Sequence, residues 1–90
     1  MKLLYCPVCH DMLKLDYGHR ACGCGASSGA YRQDGINADA NGRALVIGIS
    51  NPSLRMAVER HVHKYPEDNI TIEAWIQAEP HRHITYHRED

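Results

Sequence analysis

The sequence lacks several features, and each absence narrows the class of protein. Its 90 residues include no phenylalanine and one tryptophan, so a core must be built from aliphatic side chains and five tyrosines. No apolar run approaches the roughly 18 residues that a membrane span needs. Ten basic and eleven acidic residues give a net charge of −1, which argues against a non-specific nucleic-acid binder. We therefore expect one small domain and no membrane partner.

Catalytic and targeting motifs are also missing. The chain has no H-E-x-x-H zinc-protease motif, no G-K-[ST] phosphate loop and no G-x-S-x-G nucleophile elbow. The five residues before Cys6 are too few for a secretory signal peptide. These absences predict a cytoplasmic protein that is not an enzyme.

Four cysteines form the most specific pattern in the chain. Two residues separate Cys6 from Cys9 and one separates Cys22 from Cys24, and the pairs are joined by a short segment. Two close pairs at this distance are typical of a tetrahedral four-thiolate zinc site. In the cytoplasm thiols stay reduced, which favours metal over disulfides. We predict one structural Zn²⁺ per chain, bound by Cys6, Cys9, Cys22 and Cys24.

Other ligand sets and metals fit parts of the same pattern. His10 directly follows Cys9, which leaves open a site of three thiolates and one imidazole. Four thiolates also hold iron, as in rubredoxin-like electron carriers. The string Cys6-Pro7-Val8-Cys9-His10 matches a haem-attachment motif, but the downstream cysteine pair explains Cys6 and Cys9 without haem.

The remaining chain alternates between strand and helix signals. Short strands are expected at 2–5, at 12–15 and through Arg20, followed by a hairpin over 36–49 that turns at Asn41-Gly42. A helix should begin at Ser50 or Asn51 and end near Tyr65. A strand over 70–76 should turn its isoleucines toward the core. The expected fold is α+β: a zinc ribbon over 1–33 and a β-β-α-β unit over 34–90, packed as one compact domain.

Histidines are concentrated near the C-terminus. In a strand, His81, His83 and His87 would project to one side, where they could bind a second metal ion or a phosphate. A solvated terminal tail is the alternative interpretation.

The cysteine-containing segment resembles the small zinc-ribbon proteins of bacteria and their phages. The resemblance covers residues 2–31 and depends on K-L-x-x-C-P-x-C, on C-x-C-G and on a following Gly-x-Tyr. Two positions differ from the ribbon pattern: the second pair is C-x-C, and His10 replaces a frequent glycine. The resemblance implies a ribbon fold and carries no activity.

A closed metal site and near-neutral charge predict an interaction module that binds a protein partner as an adaptor or inhibitor. Tyrosine and tryptophan are common at such interfaces. Binding of nucleic acid or a nucleotide is the alternative, and a rubredoxin-like iron carrier is a second one. An unpaired edge at 44–49 or 70–76 would also allow a homodimer. The basic residues for nucleic-acid binding would be Lys2, Lys14, Arg20, Arg32 and Arg43.

Overall fold

The computed structural model describes residues 2–88 and shows eight short strands and one helix. This confirms an α+β chain made mostly of strands. Residues 1, 89 and 90, at the ends of the two predicted units, lie outside the described residues. The elements are β1 (Lys2–Tyr5), β2 (Met12–Lys14), β3 (Arg20–Ala21), β4 (Ser27–Tyr31), β5 (Ala38–Gly42), β6 (Leu45–Ile49), α1 (Asn51–His63), β7 (Ala74–Ile76) and β8 (Ile84–His87).

The strands form two four-stranded sheets. The first sheet has the order β2-β1-β6-β7 and is antiparallel throughout. The second sheet has the order β3-β4-β5-β8, with β5 and β8 parallel. Both sheets therefore combine strands from the cysteine-containing segment with strands from the rest of the chain.

The core lies between the two sheets and consists of aliphatic side chains, three of which are alanines. Gly29 of β4 lets the sheets approach, because a Cβ atom there would lie 2.9 Å from Leu4 Cδ1 of the first sheet, and it would also lie 2.5 Å from the Asp39 carbonyl oxygen of the neighbouring strand β5. Such crowding requires glycine at this position. The buried cluster comprises Leu4, Leu15, Ala38, Ala40, Ala44, Val46 and Ile84.

The predicted hairpin over 36–49 is wrong. Asn41 and Gly42 belong to β5, and the chain then crosses to the other sheet, so β5 and β6 do not pair. Gly42 has φ of +69°, and a Cβ atom there would clash with the carbonyl oxygen of Ala26. The Arg88 guanidinium donates to the carbonyl oxygens of Gly42 and Ala44 at 3.0 and 2.7 Å. Pairing with strands distant in sequence therefore outweighs the local turn signal.

Helix α1 begins as predicted and ends slightly earlier. The Ser50 hydroxyl accepts a hydrogen bond from the Ser53 N–H at 3.3 Å, and Pro52 occupies the first turn, where its missing N–H costs nothing. The helix buries only Ala57 among its residues. It makes no extensive contact with any strand of the described chain.

The helix and the segment after it form an arm, defined as residues 50–73, inserted between the paired strands β6 and β7. The base of the arm is closed by Ile49 opposite Ala74 and by a hydrogen bond from the Ser50 N–H to the Glu73 carbonyl at 3.0 Å. The Ser53 hydroxyl also accepts from the Glu73 N–H at 2.8 Å. The arm leaves Val58, Val62 and other apolar side chains exposed.

The predicted strand over 70–76 is shorter than expected, and its orientation is also wrong. Only Ala74–Ile76 forms a strand, and Ile72 and Ile76 are exposed rather than buried. Alternation predicts which side chains share a face, but not which face is covered. In the described chain, no helix has the length and apolar character needed to span a membrane.

Candidate metal centre

The first cysteine pair lies in the turn between β1 and β2. Strand β1 ends at Tyr5 and delivers Cys6. The Cys6 carbonyl accepts from the His10 N–H at 2.8 Å, and the Cys6 N–H donates to the Asp11 carbonyl at 3.0 Å. These two bonds close the turn and return the chain into β2, with the Cys9 side chain beside Cys6.

His10 shapes this turn through its backbone. It has φ of +61°, the left-handed conformation in which glycine is usually found, and it is the non-glycine residue with positive φ in the described chain. Its ring Nδ1 forms a hydrogen bond with the Tyr5 hydroxyl. The positive φ and the contact with Tyr5 give His10 a structural role in this turn.

The second pair lies between β3 and β4. The Cys22 N–H donates to the Ser27 carbonyl at 2.9 Å, and the Gly25 N–H donates to the Cys22 carbonyl at 3.1 Å. Gly25 has φ of +77°, which a side chain would make unfavourable. This tight turn brings the C-x-C pair, Cys22 and Cys24, to one place.

Asp11 joins the two turns. Its Oδ2 accepts a hydrogen bond from the Gly23 N–H at 3.1 Å, so a carboxylate of the first turn holds the backbone of the second. The cysteine spacing alone does not indicate this role of Asp11. The sequence does show a carboxylate directly after the C-x-x-C-H string, but it does not show that this carboxylate binds the Gly23 N–H, which is twelve residues away.

The four sulfur atoms converge on one point. All lie within 4.8 Å of one another, with 3.7 Å between Cys6 and Cys24 and 3.5 Å between Cys22 and Cys24. Zn–S bonds of about 2.3 Å in a tetrahedron place the sulfurs roughly 3.8 Å apart. The four-cysteine cluster is therefore confirmed as a group that could hold a metal ion, and His10 is not a member of it.

The thiols are electrostatically suited to a cation. The nearby Ser27 hydroxyl lowers the pKa of Cys6 to about 6, against the opposing effect of burial. The Ala26 N–H acts to lower the pKa of Cys24, but the adjacent Cys22 thiol and burial outweigh it and raise that pKa to about 12. Close thiolates repel one another, so without a cation they cannot all ionise together. A divalent cation removes this conflict.

Ser27 supports the same conclusion. Its side chain is buried, and within residues 2–88 its hydroxyl oxygen has no partner of ordinary hydrogen-bond geometry. The thiolate of Cys6 is the group that this hydroxyl stabilises. A buried hydroxyl that remains otherwise unpaired is costly, and bonding to a metal-bound sulfur would offset that cost.

The predicted histidine site does not form one group. His81 and His83 have ring centroids 5.9 Å apart, and the His83 N–H donates to His81 Nδ1 at 3.1 Å. His87 lies elsewhere, with Nε2 at 3.0 Å from Asp39 Oδ1. In the described chain, the four cysteines are the group of three or more ligating side chains close enough to share an ion.

Three of the basic residues suggested for nucleic-acid binding are engaged within the chain, and one of them, Arg20, donates to the Lys14 carbonyl at 3.3 Å. Arg32 forms a two-bond ion pair with Asp39, at 3.1 and 2.9 Å, and also donates to the Thr85 hydroxyl. The Lys2 ammonium lies 5.6 Å from the centroid of the Tyr31 ring. These contacts reduce the positive charge available to a phosphate backbone.

The chain was compared with protein-family models, with curated proteins and with solved structures, and none of the three comparisons finds a match.

Proposed function

We propose that this chain is a zinc-stabilised interaction module that binds a protein partner as an adaptor or inhibitor. The zinc ion would fix the two cysteine turns, and the partner would bind one face of the first sheet. We also propose that the cysteine segment is a zinc ribbon, in keeping with the resemblance of residues 2–31.

The metal would be structural. Cys6, Cys9, Cys22 and Cys24 would supply all four ligands of a tetrahedral ion, which leaves no position for water or substrate. Bound metal would connect β1 and β2 to β3 and β4 through their turns. Structural zinc contributes roughly 10–16 kcal/mol of apparent binding energy in zinc-finger peptides, comparable with the stability of a whole small domain.

The observation that carries the proposal is an apolar face on the first sheet. Leu4 of β1 and Val46 of β6 face the core. The residues directly before and after each of them in its strand therefore point to the opposite side of the sheet. The strand registers align these opposite-facing positions across all four strands. We call this surface the outer face; its apolar members are Leu3, Tyr5, Met12, Leu45, Ile47, Ile49, Ala74 and Ile76.

The outer face has the composition of a contact surface. Lys14 is the charged residue among its strand positions, and Met12 and Ile76 are 50% and 67% exposed. Within residues 2–88, no helix or second sheet packs broadly across it. Contiguous exposed apolar surface of this kind marks interaction sites in proteins.

The test compares two methionines of similar exposure. Met12 lies on the outer face at 50% exposure, and Met56 lies on helix α1 at 55%. Zinc-loaded wild-type protein, Met12→Glu and Met56→Glu are used to isolate partners from the source cell, and each recovered protein is purified and titrated calorimetrically. We expect a direct partner whose affinity falls at least about tenfold with Met12→Glu and is unchanged with Met56→Glu. Equal effects of both variants, or binding only to nucleic acid, would contradict the proposal.

The metal is tested separately by native mass spectrometry of untagged protein. One zinc per chain, lost when Cys6→Ser and Cys22→Ser are combined, is the expected result. Iron, or retention of zinc by that double variant, would overturn the assignment.

A further inference from the structure

Strand β7 forms an open edge of the first sheet. It pairs with β6 on one side, and within residues 2–88 no strand pairs with its other side. All three of its residues, Ala74–Ile76, are exposed. An open strand edge presents unpaired backbone donors and acceptors to another chain.

The hydrogen-bond pattern shows which backbone groups face this edge. The Gln77 N–H donates to the Val46 carbonyl at 2.8 Å, and the Ser50 N–H donates to the Glu73 carbonyl at 3.0 Å. In an antiparallel pair the bonded positions alternate, so Glu73, Trp75 and Gln77 direct their backbone groups toward β6. Ala74 and Ile76 therefore direct their N–H and C=O groups outward.

Trp75 is both fixed in position and open to solvent. It lies opposite Gly48, and a Cβ atom at Gly48 would be 2.5 Å from the indole Nε1. The indole therefore occupies the space left by the missing side chain. Even so, Trp75 remains 46% exposed on the side of the sheet that carries the core. A positioned, half-exposed tryptophan is the residue type that most often dominates an interface.

We propose that β7 pairs with β7 of a second copy of this chain, antiparallel and related by a two-fold axis at Trp75. Ala74 would exchange two backbone hydrogen bonds with the partner's Ile76, and Ile76 would do so with the partner's Ala74. The two tryptophans would form the non-hydrogen-bonded pair between these positions, in which opposite side chains lie closest. The result is an eight-stranded sheet that continues across the dimer.

The sequence around β7 is self-complementary in this register. Alanine meets isoleucine, tryptophan meets tryptophan, and Glu73 falls opposite the partner's uncharged Gln77, so no like charges meet. Because both members of the pair contribute the same polar and apolar pattern, a second copy fits this edge better than an arbitrary extended peptide. The contact uses a backbone edge and Trp75, and it leaves the outer face available to a different protein.

The first experiment is sedimentation velocity on the full, metal-loaded chain over a range of concentrations, with Trp75 emission recorded alongside. Since Trp75 is the chain's one tryptophan, its emission reports this contact directly. We expect a weak, reversible monomer–dimer equilibrium, because the contact is small, with emission moving to shorter wavelength as dimer forms. A monomer at all concentrations would overturn the proposal.

Ala74→Pro removes an outward N–H without touching the bonds to β6, and Ala74→Ser keeps that N–H. Proline is tolerated at an outward position of an edge strand. We expect Ala74→Pro to weaken the dimer at least tenfold and Ala74→Ser to leave it within threefold of wild type. Equal dimerisation of both variants would place the contact elsewhere.

Hydrogen exchange on the wild type provides a check that needs no variant. In the dimer, the amides of Ala74 and Ile76 should become protected as concentration rises, whereas the amide of Trp75 should be protected at every concentration. Concentration-independent exchange at Ala74 and Ile76 in a dimeric sample would contradict β7 pairing. Because this test follows backbone amides at the edge of β7 and the Met12 test follows a side chain on β2, failure here leaves the proposed protein-binding function standing, and failure of the Met12 test leaves the dimer standing.

Discussion

Gly48 and Trp75 face each other across β6 and β7, and the indole fills the volume that any larger residue at position 48 would need. A Cβ atom at Gly48 would lie 2.5 Å from Trp75 Nε1 and 2.7 Å from Gln77 Nε2. One position thus determines the orientation of the largest exposed side chain on the open edge.

Gly48→Ala should displace Trp75. The added methyl group forces the indole and the Gln77 amide to move, and the cost in unfolding free energy stays below that of overpacking a closed core, because both are ends of side chains at a partly exposed sheet edge. We expect lower stability in urea titration and altered tryptophan near-UV circular dichroism. Gly18→Ala is the matched control, since nothing lies within 4 Å of a Cβ atom there. An unchanged spectrum in Gly48→Ala would show that the indole does not rest on Gly48.

Ser27→Ala should weaken metal binding. The Ser27 hydroxyl lowers the pKa of the Cys6 thiol, so its removal makes protons compete better with metal for that sulfur. Loss of a group that orients a metal ligand typically costs roughly 10–100-fold in affinity. Competition with a chromophoric zinc chelator at neutral pH measures this change.

Ser28→Ala is the control for that experiment. Ser28 is the next residue in β4, is half-buried and points to the opposite side of the strand. We expect its affinity for zinc to match that of wild type. Similar losses in both variants would mean that the effect arises from β4 as a strand rather than from the Ser27 hydroxyl.

His10→Gly should preserve the metal site. Glycine adopts the φ of +61° at this position without the penalty of about 1–2 kcal/mol that a side chain incurs. Zinc affinity should stay within threefold of wild type, whereas His10→Val should lower the melting temperature because a β-branched residue disfavours this conformation. Loss of zinc from His10→Gly would instead identify the imidazole as a ligand.

The sequence predicts the four-cysteine cluster better than the fold around it, for a physical reason. Ligand spacing is local: Cys6 and Cys9, or Cys22 and Cys24, must reach one ion from a single turn, and the spacing records this. The position of β5 and β6 in different sheets depends on pairings with β4 and β1, which no local pattern encodes. The local sequence Asn41-Gly42 therefore predicts a hairpin turn, whereas in the structure glycine is needed at position 42 because the backbone there lies close to the carbonyl oxygen of Ala26.

The exposed arm and β7 show a second limit. Ile72 and Ile76 have the alternating spacing of a buried strand, and alternation alone predicts that they face a core. The structure leaves them exposed because Ile76 lies on the outer face, away from the second sheet, and Ile72 lies in the arm, outside both sheets. A residue's hydrophobicity does not distinguish the core of one chain from a surface buried by another.

Asp39 should make stability depend on pH in the acid range. Hydrogen bonds from Arg32, and then from His87, lower the pKa of the Asp39 carboxyl from 3.8 to about 2. A carboxyl whose pKa is lower in the folded state stabilises the fold at pH values above 3.8, and this contribution is lost as pH falls from about 4 to about 2. Since the ion pair is partly exposed to solvent, we expect it to contribute about 1 kcal/mol at neutral pH.

Asp39→Asn should show that deficit at pH 7 and none near pH 2. Thiolates also release metal in acid, so both proteins are compared at the same saturating zinc concentration, and the difference in unfolding free energy, in which the metal contribution cancels, isolates the carboxylate. A deficit that stays constant from pH 7 to pH 2 would mean that Asp39 acts through packing and backbone position rather than through its charge.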